Sequence, residues 1–534
     1  MQFSRGFRQG FYKFIFIILC ATVAIGCSRK WHREADTLML QISTDPITLN
    51  PVLSEDAYSS TICSYIYESL LERDKATLDM KGRLALNWTV SPNNMVYTFY
   101  LRQGVKFHDG QPFTAKDVIF TFQKTMDENT PNPQQKVYFR DVQNVFAPDD
   151  YTVIFVMKKP YYKSLEFLGG MDIIPEHIFS KVTNFVLNDF NMKNPVGTGP
   201  YKLQSWKTRQ KLTLIRNDAY WGHLPDIKKI EYKIIEDESV ALQALKKQEL
   251  DMNNLNSFEW ERQTGSKKFN DTFRKIKYLA TTYSYIGYNT RKFPFDDKRV
   301  RQAMTYLIDR EKVRDTILNG LSEITTGDFW IQSKQYNQNL KPYEFSPAKA
   351  LSLLKEAGFE DSDKDGILDK NGKKLSFELM VPSGVDFYRK FTPIMKEEMG
   401  KYGVEVNIRQ MQFQALIEKI NKREFEAMML AWSMDIDNDP YQLWHSSQLE
   451  KGHNFTGFTT PEMDYLIERA RLEFNPEIRN VFYHRFHEIL YENQPYTFLF
   501  TRYNLVALNR RFQNVNVYKT GLDYREWKIM RIVK

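Results

Sequence analysis

Three segments decide the fold: Leu375-Ser376-Phe377-Glu378-Leu379-Met380-Val381, then Val404-Glu405-Val406-Asn407-Ile408-Arg409-Gln410, then Ala427-Met428-Met429-Leu430-Ala431-Trp432. Each is short, rich in apolar residues and bounded by polar ones, which is how strands read. Helices are expected between them, near Phe391 to Tyr402 and Phe413 to Lys422. Ahead of the first strand, Ser346 is placed to cap a helix, Pro347 takes its first position and Gly358 stops it. The order helix, strand, helix, strand, helix, strand predicts an α/β lobe whose strands are covered by helices.

The region before it reads differently. Residues 84–160 carry short strands at Tyr97–Leu101 and Tyr151–Met157, with a turn at His108-Asp109-Gly110. Thr114-Ala115-Lys116-Asp117 is a capping-box signature, so a helix from Ala115 to about Met126 is expected. Order should begin with a strand at Thr37 to Ser43. Beyond the N-terminus there is no low-complexity stretch, internal repeat or second long apolar run, which predicts a globular chain that does not span a membrane.

The first 26 residues read as a secretory signal. Arg5, Arg8 and Lys13 precede the apolar run Phe14-Ile15-Phe16-Ile17-Ile18-Leu19-Cys20, which continues to Gly26 and is short for a membrane span. With Cys20 removed in the signal, Cys63 is the one thiol expected in the fold besides Cys27, and no intramolecular disulfide is expected. The formal charge of +8 is mild for 534 residues and falls further without the signal, which argues against a nucleic-acid partner. Aromatic residues make up 14%, enough to line a pocket as well as fill cores.

Several segments, in order, resemble the family 5 extracellular solute-binding proteins that serve dipeptide, oligopeptide and nickel ABC importers. They begin with Asp45-Pro46-Ile47-Thr48-Leu49-Asn50-Pro51 and Ile66-Tyr67-Glu68-Ser69-Leu70-Leu71, followed by Leu101-Arg102-Gln103-Gly104-Val105-Lys106-Phe107-His108-Asp109-Gly110. Gly197-Thr198-Gly199-Pro200-Tyr201, Arg216-Asn217-Asp218-Ala219-Tyr220-Trp221-Gly222 and Tyr288-Asn289-Thr290 continue the match, and Trp432-Ser433-Met434-Asp435-Ile436-Asp437-Asn438-Asp439-Pro440-Tyr441 completes it. Ala24-Ile25-Gly26-Cys27 likewise resembles a bacterial lipobox, which implies lipidation at Cys27 and a short tether over residues 27–36.

The resemblance implies a two-lobed α/β receptor, monomeric, held at the cell envelope and working with ABC permease and ATPase subunits. Lobe I is expected over 37–287, with an inserted subdomain at about 84–185, lobe II over 288–495, and a return to lobe I over 496–534. Short peptides are the expected cargo; nickel chelates or oligosaccharides on the same fold are the alternative.

A cleft for many peptides must recognise what they share, an extended backbone and charged ends, and a buried ammonium needs a carboxylate within hydrogen-bond reach. The resemblance points to Asp437 for that role, with Asp435 the alternate, and to Asp439 as structural. It places Trp432 and Ser433 beside the ligand's first residue, Asp56 on a ligand-touching loop and Asn289 at the crossing between lobes. Arg389 is the guess for the peptide carboxylate.

Two further constellations stand outside that scheme. Asp361, Asp363, Asp365 and Asp369 have the oxygen spacing of a calcium loop, but its twelfth position is Gly372 where a bidentate Glu is wanted, so a solvated loop is the favoured reading. His484 and His487 lie a helical turn apart without a third ligand nearby, which makes a metal-dependent hydrolase a remote alternative. There is no Gly-x-Ser-x-Gly elbow and no Walker loop. No catalytic residue and no cofactor is expected.

Overall fold

The computed structural model of the protein describes residues 35–54, 56–182, 194–450 and 452–530. The signal segment and Cys27 lie outside the described residues.

The three deciding segments form strands Ser376–Pro382, Glu405–Met411 and Ala427–Ser433, joined in parallel with Ser376–Pro382 in the middle. Thr282–Tyr288 and Tyr496–Phe498 extend this sheet antiparallel beyond Ala427–Ser433, giving five strands. Helices cover both faces. Leu379, Val381 and Met429 enter a core with Val300, Leu354 and Phe391, whereas Met380, Met428 and Leu430 enter a second core with Leu416, Ile467 and Phe486. Burial on both faces is why Ala427–Trp432 reads as an unbroken apolar run.

Ser346 does cap its helix, accepting the Lys349 N–H, and Gly358 ends it at φ +89°, where a side chain would be strained. The next helix departs from expectation. It spans Asp386–Gly400, starting five residues before Phe391 and carrying Pro393 inside. Phe387, Tyr388 and Phe391 are buried on its inner face, and that packing outweighs the hydrogen bond lost to an interior proline, a cost of about 3 kcal/mol.

Because Thr282–Tyr288 and Tyr496–Phe498 belong to the second lobe's sheet, the crossings expected at Tyr288 and Pro495 shift. The chain enters the lobe between Leu279 and Thr282 and leaves it at Leu499, where Phe500–Asn509 begins and pairs with Phe273–Leu279 and Met252–Asn254. Two backbone strands therefore run side by side through the connection.

The first lobe holds the antiparallel sheet Tyr201–Lys207, Lys211–Arg216, Lys229–Ile234, with Thr37–Ile42 at its edge. Its subdomain is a four-stranded antiparallel sheet, Ala85–Val90, Val96–Leu101, Thr152–Met157 and Val142–Asp149 in spatial order, under the helix Ala115–Met126. Asp117 accepts the Thr114 N–H at 2.9 Å as the capping box requires, and its other oxygen accepts the Glu176 N–H at 2.9 Å.

The segments that carry the family resemblance converge here on one carboxylate. Glu68 is fully buried and accepts from Arg83 Nε (2.9 Å), Thr198 Oγ1 (2.8 Å), Tyr220 Oη (2.6 Å) and Trp221 Nε1 (2.9 Å). His108 completes the junction by exchanging backbone and ring bonds with Gly197 and Gly199. A Cβ on Gly199 would lie 2.7 Å from both the Ile66 and Tyr65 carbonyl oxygens. Gly199→Ala is therefore expected to cost about 1–3 kcal/mol, visible as a lower Tm, because two backbones cannot both move aside.

Candidate functional site

Asp435, Asp437 and Asp439 leave the carboxyl end of Ala427–Ser433, the central strand of the second lobe, the position where open α/β sheets offer ligands a crevice. Opposite them stands Tyr161-Tyr162-Lys163, the link from the subdomain sheet into the helix Ser164–Gly170. The two segments meet residue by residue. Tyr161 Oη donates to Asp439 Oδ2 at 2.6 Å, and Lys163 Nζ donates to Asp435 Oδ2 at 3.1 Å and to the Asp437 carbonyl at 2.8 Å. Tyr162 donates its N–H to the Arg471 carbonyl, and the Arg479 guanidinium lies 3.9 Å from its ring centroid.

This contact separates the three aspartates. The Asp439 side chain is buried, pairing with Arg471 at 3.1 Å and accepting the Tyr441 N–H. Asp437 is also committed, since Oδ1 accepts from Gln335 Nε2 at 2.8 Å and Oδ2 lies 3.5 Å from Arg479. Asp435 differs. Its side chain is 62% exposed, and it lines a cavity of about 350 Å3 that also touches Pro51, Val52, Tyr138, Phe139, Phe167 and Asp172 of the first lobe. Of the three, Asp435 is the carboxylate that opens onto a cavity.

Lys163 is the residue that sequence reasoning missed. Burial alone would lower its ammonium, yet Glu166 and Asp435, with Asp437 behind them, outweigh burial and hold it above the ordinary lysine value. A lysine in a link between a strand and a short helix carries no sequence signal for this role. Its partner lies 272 residues away.

The remaining expected site residues are placed as follows. Trp432 is half-buried and stacks on Phe455 at 6.2 Å between ring centroids, with Tyr285 parallel at 6.4 Å, so it anchors an aromatic pile under the loop. Ser433 is exposed at the strand end. Asp56 is the N-cap of the helix Ala57–Ile66, accepting the Ser59 N–H at 2.9 Å, and Asn289 is 1% exposed with its amide donating to the Phe425 carbonyl at 3.0 Å. Both hold hydrogen bonds within the chain. Arg389 is exposed and paired with Asp386.

Asp361, Asp363 and Asp365 do come together, one carboxylate oxygen of each within 4.8 Å of the others, all exposed. Asp369 does not join them, because its carboxylate accepts the Ser362 N–H and hydroxyl. The histidine pair also diverges. His487 is fully buried, accepting the Asn337 N–H at Nδ1 and meeting Thr326 Oγ1 at 3.0 Å from Nε2, and burial pushes its imidazole down to about 3. His484 turns to the Lys334 carbonyl at the surface.

A two-lobed α/β molecule with two strands through its connection and a charged, aromatic-walled cavity between the lobes is a solute-binding protein of the periplasmic type. Residues 79–454 match the model of the bacterial extracellular solute-binding proteins, family 5, and the chain belongs to that family. It is 32% identical over 485 residues to the oligopeptide-binding protein AppA of Bacillus subtilis, covering 89% of this chain and 87% of that protein. The dipeptide-binding protein of Escherichia coli is 27% identical, covering 91% and 92%. Among solved structures, B. subtilis AppA in complex with a nonapeptide superposes with a TM-score of 0.81 at 30% identity, covering 93% of this chain and 99% of that one. NikZ of Campylobacter jejuni in complex with Ni(L-His) superposes at 0.79 with 25% identity, covering 93% and 100%. The family consists of binding proteins of ABC importers that carry peptides, with nickel-binding relatives, and not of enzymes. No helix among the described residues is long and apolar enough to cross a membrane.

Proposed function

We propose that this protein captures short peptides outside the cytosol, between its two lobes, and delivers them to an ABC permease, tethered to the membrane through lipidated Cys27. The observation that carries the reading is the exposed Asp435 carboxylate in a cavity shared by both lobes. One oxygen is held by Lys163, which fixes the rotamer and leaves the other to accept an ammonium. The cavity volume falls in the range of small-molecule sites, about 300–1,000 Å3, and none of its lining residues is His or Cys, which suits an ammonium better than direct metal ligation. The contacts of Tyr161, Tyr162 and Lys163 on the second lobe supply a latch for a closed arrangement, and ligand binding would favour that arrangement through the two-strand connection.

Titration calorimetry with a mixed set of di- to pentapeptides, their N-acetylated forms and nickel–histidine tests the proposal. Binding of free-amine peptides that is weakened at least about tenfold by acetylation, a loss of about 1.4 kcal/mol, is the expected result. Affinity for nickel–histidine alone, or indifference to acetylation, would place the cargo elsewhere.

A further inference from the structure

We propose that Asp172 makes the same cavity a subsite for a basic side chain, so that the protein prefers peptides carrying lysine or arginine; this rests on the peptide reading above.

The argument begins with how the cavity's charges are matched. Asp435 is met by Lys163 at 3.1 Å and Glu166 by Arg73 at 2.6 Å. Asp172 lines the same cavity, and among the described residues its carboxylate meets no hydrogen-bond donor and no cation within contact distance. The cations nearest to it are paired first with other carboxylates, and Arg83 Nη2 is left without a hydrogen-bond partner. Arg83 is bound to Glu68 at 2.9 Å and to Glu72 at 3.5 Å, and Arg525 to Asp523 at 2.9 Å. Nor can the carboxylate swing away freely, because its backbone is pinned beside the Glu68 strand through the Ser69–Asp172 bridge and the Ile173 N–H to the Glu68 carbonyl.

The walls fit the ligand that such a charge calls for. Pro51, Val52, Phe139 and Met171 offer apolar surface to an alkyl stem, and Tyr138 stacked on Phe167 at 3.8 Å gives an aromatic face for a cationic head. A neutral side chain packed over the Asp172 carboxylate would shield it from water without pairing it, which is costly. A basic one removes that cost.

The carboxyl's environment agrees. Burial raises Asp172 first, Glu68 raises it further, and Arg83 and Arg525 only partly offset this, so it is pushed up to about 6. Asp435 and Glu166 line the same cavity, and Lys163 lies behind them, paired with both. A carboxyl raised on folding favours its protonated form in the native state, so stability is lost as the pH rises from 3.8 towards about 6, and the full cost is present above that. Asp172→Asn should consequently fold with a Tm at pH 7.5 no lower than the parent.

Calorimetry on the full chain provides the test, using tripeptides with lysine at each position in turn against norleucine, an uncharged near-isostere. At pH 7.5 lysine at one position is expected to bind at least about tenfold tighter, or about 1.4 kcal/mol. The preference should vanish in Asp172→Asn, survive as a ratio in Asp435→Asn, and shrink as the pH falls through about 6. Equal affinities at all three positions, a preference that persists in Asp172→Asn, or a loss of Tm in that variant would each overturn the inference. Should no peptide bind at all, the peptide reading falls, and n-pentylamine against n-pentanol then probes the cavity itself. Amine binding abolished by Asp172→Asn sustains the subsite, and no amine binding overturns it.

Discussion

Asp435→Asn is expected to weaken binding of an unmodified short peptide by about 30-fold, or about 2 kcal/mol. The figure is taken at the lower end of what truncating one partner of a charge pair costs, because the side chain is 62% exposed and water can partly replace it. The substitution is chosen to isolate the charge. An asparagine keeps an oxygen for Lys163 Nζ and leaves the Lys163 bonds to Glu166 and the Asp437 carbonyl in place. Affinity for the N-acetylated peptide should hardly change, since it has no ammonium to lose. The variant's signature is thus the disappearance of discrimination between free and acetylated amines. Asp437→Asn should show the opposite pattern, with a lower Tm because Arg479 loses its carboxylate, and discrimination retained. If calorimetry finds that the Asp437 variant is the one that ceases to discriminate, the assignment to Asp435 is wrong.

Glu68→Ala should lower the unfolding free energy by about 3–5 kcal/mol, the cost of leaving a buried charge without its partner. Arg83 would be stranded at 9% exposure with only Glu72 at 3.5 Å, and Thr198, Tyr220 and Trp221 would lose their acceptor together. Glu68→Gln preserves the volume and one acceptor oxygen and is expected to recover part of the loss. Denaturant unfolding of the three proteins measures both. A Glu68→Ala variant within about 1 kcal/mol of the parent would mean that the junction repacks or admits water, and that Glu68 does not hold it together.

Much of the second lobe was legible residue by residue. Ser376–Pro382 and Ala427–Ser433 declare themselves because both faces are largely buried, which forces apolar residues at successive positions, and the Ser346, Pro347 and Gly358 punctuation acts locally on backbone geometry. The first turn of the helix over Asp386–Gly400 was not legible, because the burial of Phe387 and Tyr388 that holds it is a tertiary effect. Strand partners were illegible for a related reason. Nothing within Thr282–Tyr288 states that its neighbours will be Ala427–Ser433 and Tyr496–Phe498, more than a hundred positions along the chain.

The site divides along the same line. By itself the sequence determined a helix-covered α/β lobe, the acidic loop Asp435 to Asp439 and the residue types able to hold an ammonium, because these depend on local periodicity and on which side chains carry charge; the two-lobed class came from its resemblance to the family 5 solute-binding proteins. Only the tertiary structure decided which aspartate is open. Gln335 and Arg479 take up Asp437, Tyr161 and Arg471 take up Asp439, and Lys163 holds Asp435 by one oxygen at the cavity wall. Those partners come from distant stretches of chain, and a carboxylate's availability is set by what surrounds it in space, which spacing along a sequence does not encode.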